Sequence, residues 1–218
     1  MTIVLQVEKL TYSYPGHPLF IDWSASFPAG VSCVVGGDGG GKTTLLRLLA
    51  GDLALPHGDV LIRPLGEALI STAGAELLRL SQSRAAYVRQ VFWADARNPA
   101  FDQLLPAEVF EQMAQSYPYF NRELIEPLMG GLFLTEHAHK KLFMLSTGSR
   151  RKVLLAAAFA SGATVLLLDT PFAALDKPSI RVVKECLNDF AELPGRACLV
   201  ADYEAPDGVA LAASIELG

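Results

Sequence analysis

The sequence predicts an α/β fold with a helical lobe inserted into it. Three observations carry that prediction. Ile21, Trp23, Ala25 and Phe27 alternate with Asp22, Ser24 and Ser26, the period of two of a half-buried strand. Residues 31–35 and 163–168 are continuous apolar runs bounded by turn residues, as in strands buried on both faces. Between about 91 and 145 the character changes: Phe92, Trp93, Phe101, Phe110, Tyr117, Tyr119 and Phe120 crowd together, and apolar residues fall at helical spacing. That density reads as packing inside a lobe. At 218 residues the chain suits one domain with an insertion better than two full domains. Its 51% hydrophobic and 19% charged fractions exclude a largely disordered chain.

The remaining elements follow in order. A strand is expected over 4–7, a turn-rich loop over 11–17, a strand over 21–27, and a turn at Pro28-Ala29-Gly30 before the strand 31–35. A helix is expected over about 42–50, a turn over 56–59 and a strand over 60–62. Residues 64–85 are ambiguous, and 86–89 read as a short strand. Helical spacing recurs over 105–113 and 124–132, and an apolar helix is expected over 150–160. After the buried strand come an amphipathic helix over 178–190, a strand over 197–201, and one or two further strands over 209–217.

Eighteen Lys and Arg against 23 Asp and Glu leave a net charge of −5, without the basic footprint of a general nucleic-acid binder. No apolar stretch is long enough to span a membrane, and the opening MTIVLQVEKL lacks the pattern of a secretory signal, so a cytoplasmic protein is expected. Cys33, Cys186 and Cys198 are odd in number and fit no metal or disulfide spacing; Cys33 and Cys198 read as reduced core residues. His137 and His139, two apart, would face different ways on a helix and suggest no metal site. Arg150-Arg151-Lys152 reads as a solvated or interface face.

Gly36-Gly37-Asp38-Gly39-Gly40-Gly41-Lys42-Thr43 fits G-x-x-x-x-G-K-[ST], and it stands between an apolar strand and a helix. Glycines let backbone N–H groups curl around phosphate oxygens, and the helix N-terminus adds its positive dipole end. Lys42 would reach the β- and γ-phosphates of a nucleotide, and Thr43 would ligate Mg²⁺. A second element, Val165-Leu166-Leu167-Leu168-Asp169, is an apolar strand ending in a carboxylate able to hold Mg²⁺ through its water shell. The phosphate loop alone leaves kinases, GTPases, helicases and transport ATPases open, and this second element narrows the list.

Leu145-Ser146-Thr147-Gly148-Ser149, shortly before that strand, resembles the LSGGQ signature of the ATP-binding cassette (ABC) ATPases. Tyr14 resembles the aromatic that stacks on adenine, Gln90 the Q-loop glutamine, and Ala173-Ala174-Leu175-Asp176 the D-loop. The resemblance covers essentially the whole chain. It implies a RecA-like P-loop NTPase core with an N-terminal antiparallel β subdomain over 1–90 and 160–218, and an inserted helical signature subdomain over 91–159. It implies ATP and Mg²⁺ as ligands. Tyr14, the loop from Gly36 to Thr43 with Thr44, and across a head-to-tail dimer Ser146, Gly148 and Asp176, would bind the nucleotide. Thr43, Gln90 and Asp169 would hold the metal. A second cassette and separate membrane permease subunits are the implied partners, placing the chain on the inner face of the cell membrane, with no nucleic acid expected.

Several positions depart from the family pattern. Thr170 stands where hydrolysing members carry glutamate after the strand aspartate. A threonine hydroxyl is a far weaker base than a carboxylate, and a positioned general base is worth about 10²–10⁴ in rate. Asp202 stands where the switch histidine is expected, and an anion there repels developing phosphate charge. Asp38, Thr147, Ser149 and Arg89 also differ from the usual residues. Lys42, Gln90, Asp169, Thr170 and Asp202 are thus the positions on which turnover depends, and a site that binds Mg-ATP well and hydrolyses it slowly is expected. A rescue by repositioned Asp202 or Glu204 stays open. The leading expectation is the ATP-binding subunit of an ABC transporter. The alternative is an ATP-gated regulatory module with little or no turnover, alone or paired with an active cassette. A DNA-repair or translation cassette would carry long coiled-coil insertions or two cassettes, and a small-molecule kinase would lack the signature segment.

Overall fold

The computed structural model describes residues 2–65 and 77–217; part of the ambiguous segment, 66–76, lies outside the described residues. Two strands open the chain, β1 (Ile3–Tyr14) and β2 (His17–Pro28), followed by β3 (Gly30–Val35) and helix α1 (Lys42–Leu49). Next come β4 (His57–Ile62), β5 (Leu78–Arg79), α2 (Arg84–Val88) and β6 (Val91–Trp93). The lobe holds α3 (Pro106–Ser116), α4 (Ile125–Gly131) and the start of α5 (Thr147–Ala160). β7 (Val165–Asp169), α6 (Lys177–Ala191), β8 (Ala197–Asp202) and β9 (Leu211–Glu216) complete it. One sheet is antiparallel, in the order β2-β1-β4-β5; the other is parallel, in the order β6-β7-β8-β3-β9.

The central strands β3, β7 and β8 carry almost no polar residue before their ends because both faces are covered. Along β7, Leu166 and Leu168 join a core with α5, α6 and the helical lobe, while Val165 and Leu167 join a second core with α1 and the antiparallel sheet. β8 divides the same way, Cys198 and Val200 to the first core, Ala197, Leu199 and Ala201 to the second. Cys33 and Cys198 are fully buried, and burial pushes the Cys33 thiol up to about 11, which keeps it protonated and unreactive. Between sheet and lobe, Phe92 of β6 packs on Tyr117 with ring centroids 5.3 Å apart, and the Tyr117 hydroxyl donates to the Val91 carbonyl. The dense aromatics therefore serve mainly as packing, with Tyr119 exposed.

Four expectations are corrected. The loop over 11–17 is ladder: Tyr12 pairs with Phe20 and Tyr14 with His17, leaving only Pro15-Gly16 to turn. His57 and Asp59 lie in β4, opposite Thr11 and Glu8, so the turn ends earlier than expected. Residues 86–89 belong to and follow the helix α2 instead of forming a strand; Tyr87 is fully buried there and donates to the Leu49 carbonyl at 2.7 Å. The apolar strand begins after it, at Val91, and pairs with β7, so the sheet takes residues 91–93 that were assigned to the lobe.

Phe92→Ala is expected to lower stability by about 3–5 kcal/mol, because it empties a site packed between sheet and lobe. Urea denaturation of the two proteins, compared by midpoint at unchanged slope, checks this.

Candidate functional site

The ends of β3, β7 and β8 lie side by side: Val35 pairs with Asp202, and Asp169 with Ala201. The glycine loop leaves β3 and enters α1 through Gly41, which takes φ +87° as the residue capping the helix. A Cβ there would be strained by that angle and would press on the Leu19 side chain at 3.0 Å. The first-turn N–H groups of α1 have no intrahelical partner and make the loop an anion site. Lys42 Nζ donates to the Gly36 and Gly37 carbonyls at 2.5 and 2.8 Å. Thr43 Oγ1 donates to Asp169 Oδ2 at 2.7 Å, joining loop and strand end across the sheet.

A cleft above the loop is lined by Tyr14, residues 37–44, Asp169, Thr170 and Tyr203. It gathers most of the positions singled out in the sequence: Tyr14, Gly37, Asp38, Gly39, Gly40, Gly41, Lys42, Thr43, Thr44, Asp169 and Thr170. Gly36 borders it as an acceptor for Lys42. Tyr14 is 42% exposed, packs edge-on against Tyr12, and shares a 3.2 Å hydrogen bond with the Thr44 hydroxyl. Thr170 follows the strand with φ +44°, an unfavourable conformation for a β-branched residue, while its N–H donates to the Ala201 carbonyl.

Two predicted residues lie elsewhere. Gln90 precedes β6, and its side-chain oxygen accepts from Thr164, at the opposite end of the sheet from Asp169. Thr164 and Asp169 are five residues apart along the chain, so a strand rise of about 3.3 Å per residue separates them by some 16 Å. Gln90 therefore cannot share a metal with Asp169, a correction to the sequence assignment. The residues at the productive end of β6 are Ala94, Asp95, Ala96 and Arg97, which line a second cavity with Thr43, Asp169, Thr170 and Arg151. Reading 86–89 as the strand placed the strand end too early; the apolar run from Val91 to Trp93 is the signal that points to Asp95.

Asp202 is the second. Its carboxylate accepts from the Tyr203 N–H at 2.8 Å, and it lines neither cavity, whereas Tyr203 lines both. Burial raises the Asp202 carboxyl above the ordinary range, only partly offset by the Tyr203 N–H and by Lys42. Tyr203, which sequence reasoning did not single out, donates its hydroxyl to Asp38 Oδ1 at 2.6 Å.

The second cavity carries charge of both signs. Arg97 holds Asp95 with contacts of 3.1 and 3.3 Å; burial alone would raise the Asp95 carboxyl, and these hydrogen bonds outweigh it and leave it lowered. Arg151 is half-buried beside Asp169 and donates to the Ala173 carbonyl. The basic run is accordingly not a solvated face: Arg150 pairs with Asp102, and Lys152, almost fully buried, pairs with Asp176.

Ser146 caps α5, its hydroxyl accepting from the Ser149 N–H at 3.1 Å. Gly148 sits so close to the loop after β7 that a Cβ would lie 2.3 Å from the Ala174 carbonyl oxygen. Asp176 caps α6 by accepting from the Ser179 N–H, and the Lys152 hydrogen bond holds its carboxyl well below the usual range. The structure thus places Ser146, Gly148 and Asp176 away from the cleft above their own phosphate loop.

A glycine loop feeding a helix, with a threonine tied to a strand-end aspartate, defines a P-loop nucleotide-binding protein. Residues 23–173 match the family model described as ABC transporter, and the chain belongs to the ABC transporter ATP-binding cassette family. Members of this family are ATPases that bind ATP with Mg²⁺ and work with membrane permease subunits. The chain is 27% identical over 222 residues to the putrescine transport ATP-binding protein PotG of Escherichia coli (strain K12), covering 100% of this chain and 55% of that protein. It is 34% identical over 186 residues to the cobalt import ATP-binding protein CbiO of Rhodobacter capsulatus, covering 81% and 61%. It is 28% identical over 217 residues to a taurine import ATP-binding protein, TauB, of Escherichia coli O6:H1, covering 98% and 79%. The chain thus spans less than two thirds of the length of the first two. Among solved structures, an ATP-binding subunit of an ABC transporter superposes with a TM-score of 0.76 at 20% identity, covering 92% of this chain and 79% of that one. A nucleotide-free cassette does so with a TM-score of 0.68 at 15% identity, covering 92% and 81%. Among the described residues no helix is long and apolar enough to cross a membrane.

Asp202→Asn is expected to stabilise the fold at neutral pH, since burial penalises the carboxylate and an amide can still accept from the Tyr203 N–H. The raised folded value makes the ionised group costly above it. The gain therefore fades as pH falls toward the unfolded value of about 4, where both forms are protonated. Melting temperatures of the pair between pH 4 and 8 test the sign.

Proposed function

We propose that this chain is the ATP-binding subunit of an ABC importer, which binds Mg-ATP in the cleft above the glycine loop and hydrolyses it slowly. The observation that carries the reading is the Thr43–Asp169 hydrogen bond beside Lys42, with Thr170 as the next residue. The cleft fits the ligand: from Gly36 to Gly41 every loop residue but Asp38 is glycine, the ammonium of Lys42 lies against the loop carbonyls, and two oxygen donors suited to Mg²⁺ meet at one point. Import is supported by relatives named for taurine and cobalt import.

In this reading Lys42 exchanges the Gly36 and Gly37 carbonyls for the β- and γ-phosphates, and the first turn of α1 supplies N–H donors to the same oxygens. Thr43 and Asp169 hold Mg²⁺, which when bound neutralises phosphate charge. Tyr14, exposed at the rim, stacks on the adenine. Thr170 can hydrogen-bond the attacking water through its hydroxyl but is a poor acceptor for its proton near pH 7. Asp95 takes the place at the end of β6 that Gln90 was expected to fill, and its tie to Arg97 leaves it little free basicity. Arg151, beside Asp169, brings positive charge toward the terminal phosphate. A second cassette, its Ser146 and Gly148 facing this loop, completes the site, and dimer closure drives a separate permease.

The missing base favours a second reading, an ATP-gated module that closes without turnover. Binding and hydrolysis measured on one purified sample separate the two. Mg-ATP binding with turnover of about 10⁻³ to 10⁻¹ s⁻¹ fits a transport ATPase lacking its base; binding with no turnover, even with permease and partner cassette added, fits the module. Lys42→Met is expected to weaken Mg-ATP binding, and absence of binding in the unaltered chain would overturn both readings. Thr170→Glu is expected to raise turnover by about 10²-fold or more. An unchanged rate in a folded, ATP-binding variant would show that the base is not the limiting feature.

A further inference from the structure

Tyr203 joins two segments that only the fold brings together. It leaves the end of β8, and its hydroxyl bonds Asp38, 165 positions away in the glycine loop, at 2.6 Å. The same ring lies under the ammonium of Lys42, with Nζ 4.7 Å from its centroid. A phenol donating to a carboxylate makes a charge-assisted bond, stronger than a neutral one, and a cation within about 6 Å of an aromatic face is attracted to it. Tyr203 is nonetheless 59% exposed, so its packing contributes little to the core. Its hydroxyl and its ring each engage a charged side chain of the phosphate loop.

Phosphate oxygens entering the loop act on both contacts. They repel the Asp38 carboxylate, which has to turn away or be screened, and they draw Lys42 off the ring and the loop carbonyls. We propose that Tyr203 is a positioning residue of the nucleotide site: it clamps Asp38 and holds Lys42 over its ring, so that a nucleoside triphosphate seats its β- and γ-phosphates only by displacing it. The clamp lowers affinity for the phosphate chain and leaves contacts to the nucleoside untouched. This rests on the cleft being the Mg-ATP site.

The test is Mg-ATP and adenosine binding by titration calorimetry to the full chain and three variants: Tyr203→Phe, which keeps the ring and loses the hydroxyl, Asp38→Ala, and the double substitution. Tyr203→Phe is expected to tighten Mg-ATP binding by about three- to tenfold, the scale of one exposed charge-assisted bond. Adenosine binding and melting temperature should hold. In the Asp38→Ala background the Tyr203→Phe effect should vanish, since the bond it removes is already gone. Weaker or unchanged Mg-ATP binding in Tyr203→Phe, or an effect that persists in full without Asp38, would overturn the inference while leaving the site reading intact. If the unaltered chain takes up no Mg-ATP, the site reading fails and this inference with it.

Discussion

The hydrogen bond from Thr43 to Asp169 crosses over a whole strand. In the sheet order β6-β7-β8-β3-β9, β8 lies between the strand that carries Asp169 and the strand that feeds the glycine loop. Two strand spacings, about 9.6 Å, separate those ends at the level of the sheet. The contact forms because the loop rises from β3 and leans back over β8 before α1 begins. Everything at the cleft follows from that overhang. Tyr203, just past the end of the intervening strand, lies next to Lys42 and the loop. The ligand crevice sits at the carboxyl ends of parallel strands, where this class of sheet opens.

The overhang is held from below by two cores that share one sheet. Because β7 and β8 send alternate side chains into different cores, a change in one core is felt by the strand that positions Asp169 for the other. The phosphate loop belongs to the core with α1 and the antiparallel sheet, and the signature helix to the core with the lobe. The strand ends are where the two meet.

Much of this was legible in the residues. The glycine loop with Lys42 and Thr43 is local chemistry on a single strand-to-helix turn, and β7 with its terminal aspartate is a continuous apolar run, so both could be read without tertiary information. The errors at Gln90 and Asp202 share a different origin. Both depend on where a strand ends, and one or two residues of slippage move a side chain from the cleft to another place. Tyr87 and Val88 look like a strand by composition, yet burial of Tyr87 against Leu49 makes that turn helical and pushes the strand to Val91. At β8 the pattern located the strand but not which of two adjacent side chains leans over the loop. Asp95 was within reach of the apolar run Val91–Trp93, whereas Arg151 and Tyr203 carry no local sign of this role, and only the packing of lobe, sheet and loop brings them to the cavity.

Gly148 has no room for even one more carbon, because the Ala174 carbonyl occupies the space beside it. Nearby, Lys152 of the same helix grips Asp176 at the start of α6. The signature helix and the loop after β7 are therefore one mechanical part, pinned at two points. Arg151 of the same helix adds a third tie, to the Ala173 carbonyl. The position of α5 is thus set against the segment that begins at Thr170, so the helix and one wall of the phosphate cleft share a single placement.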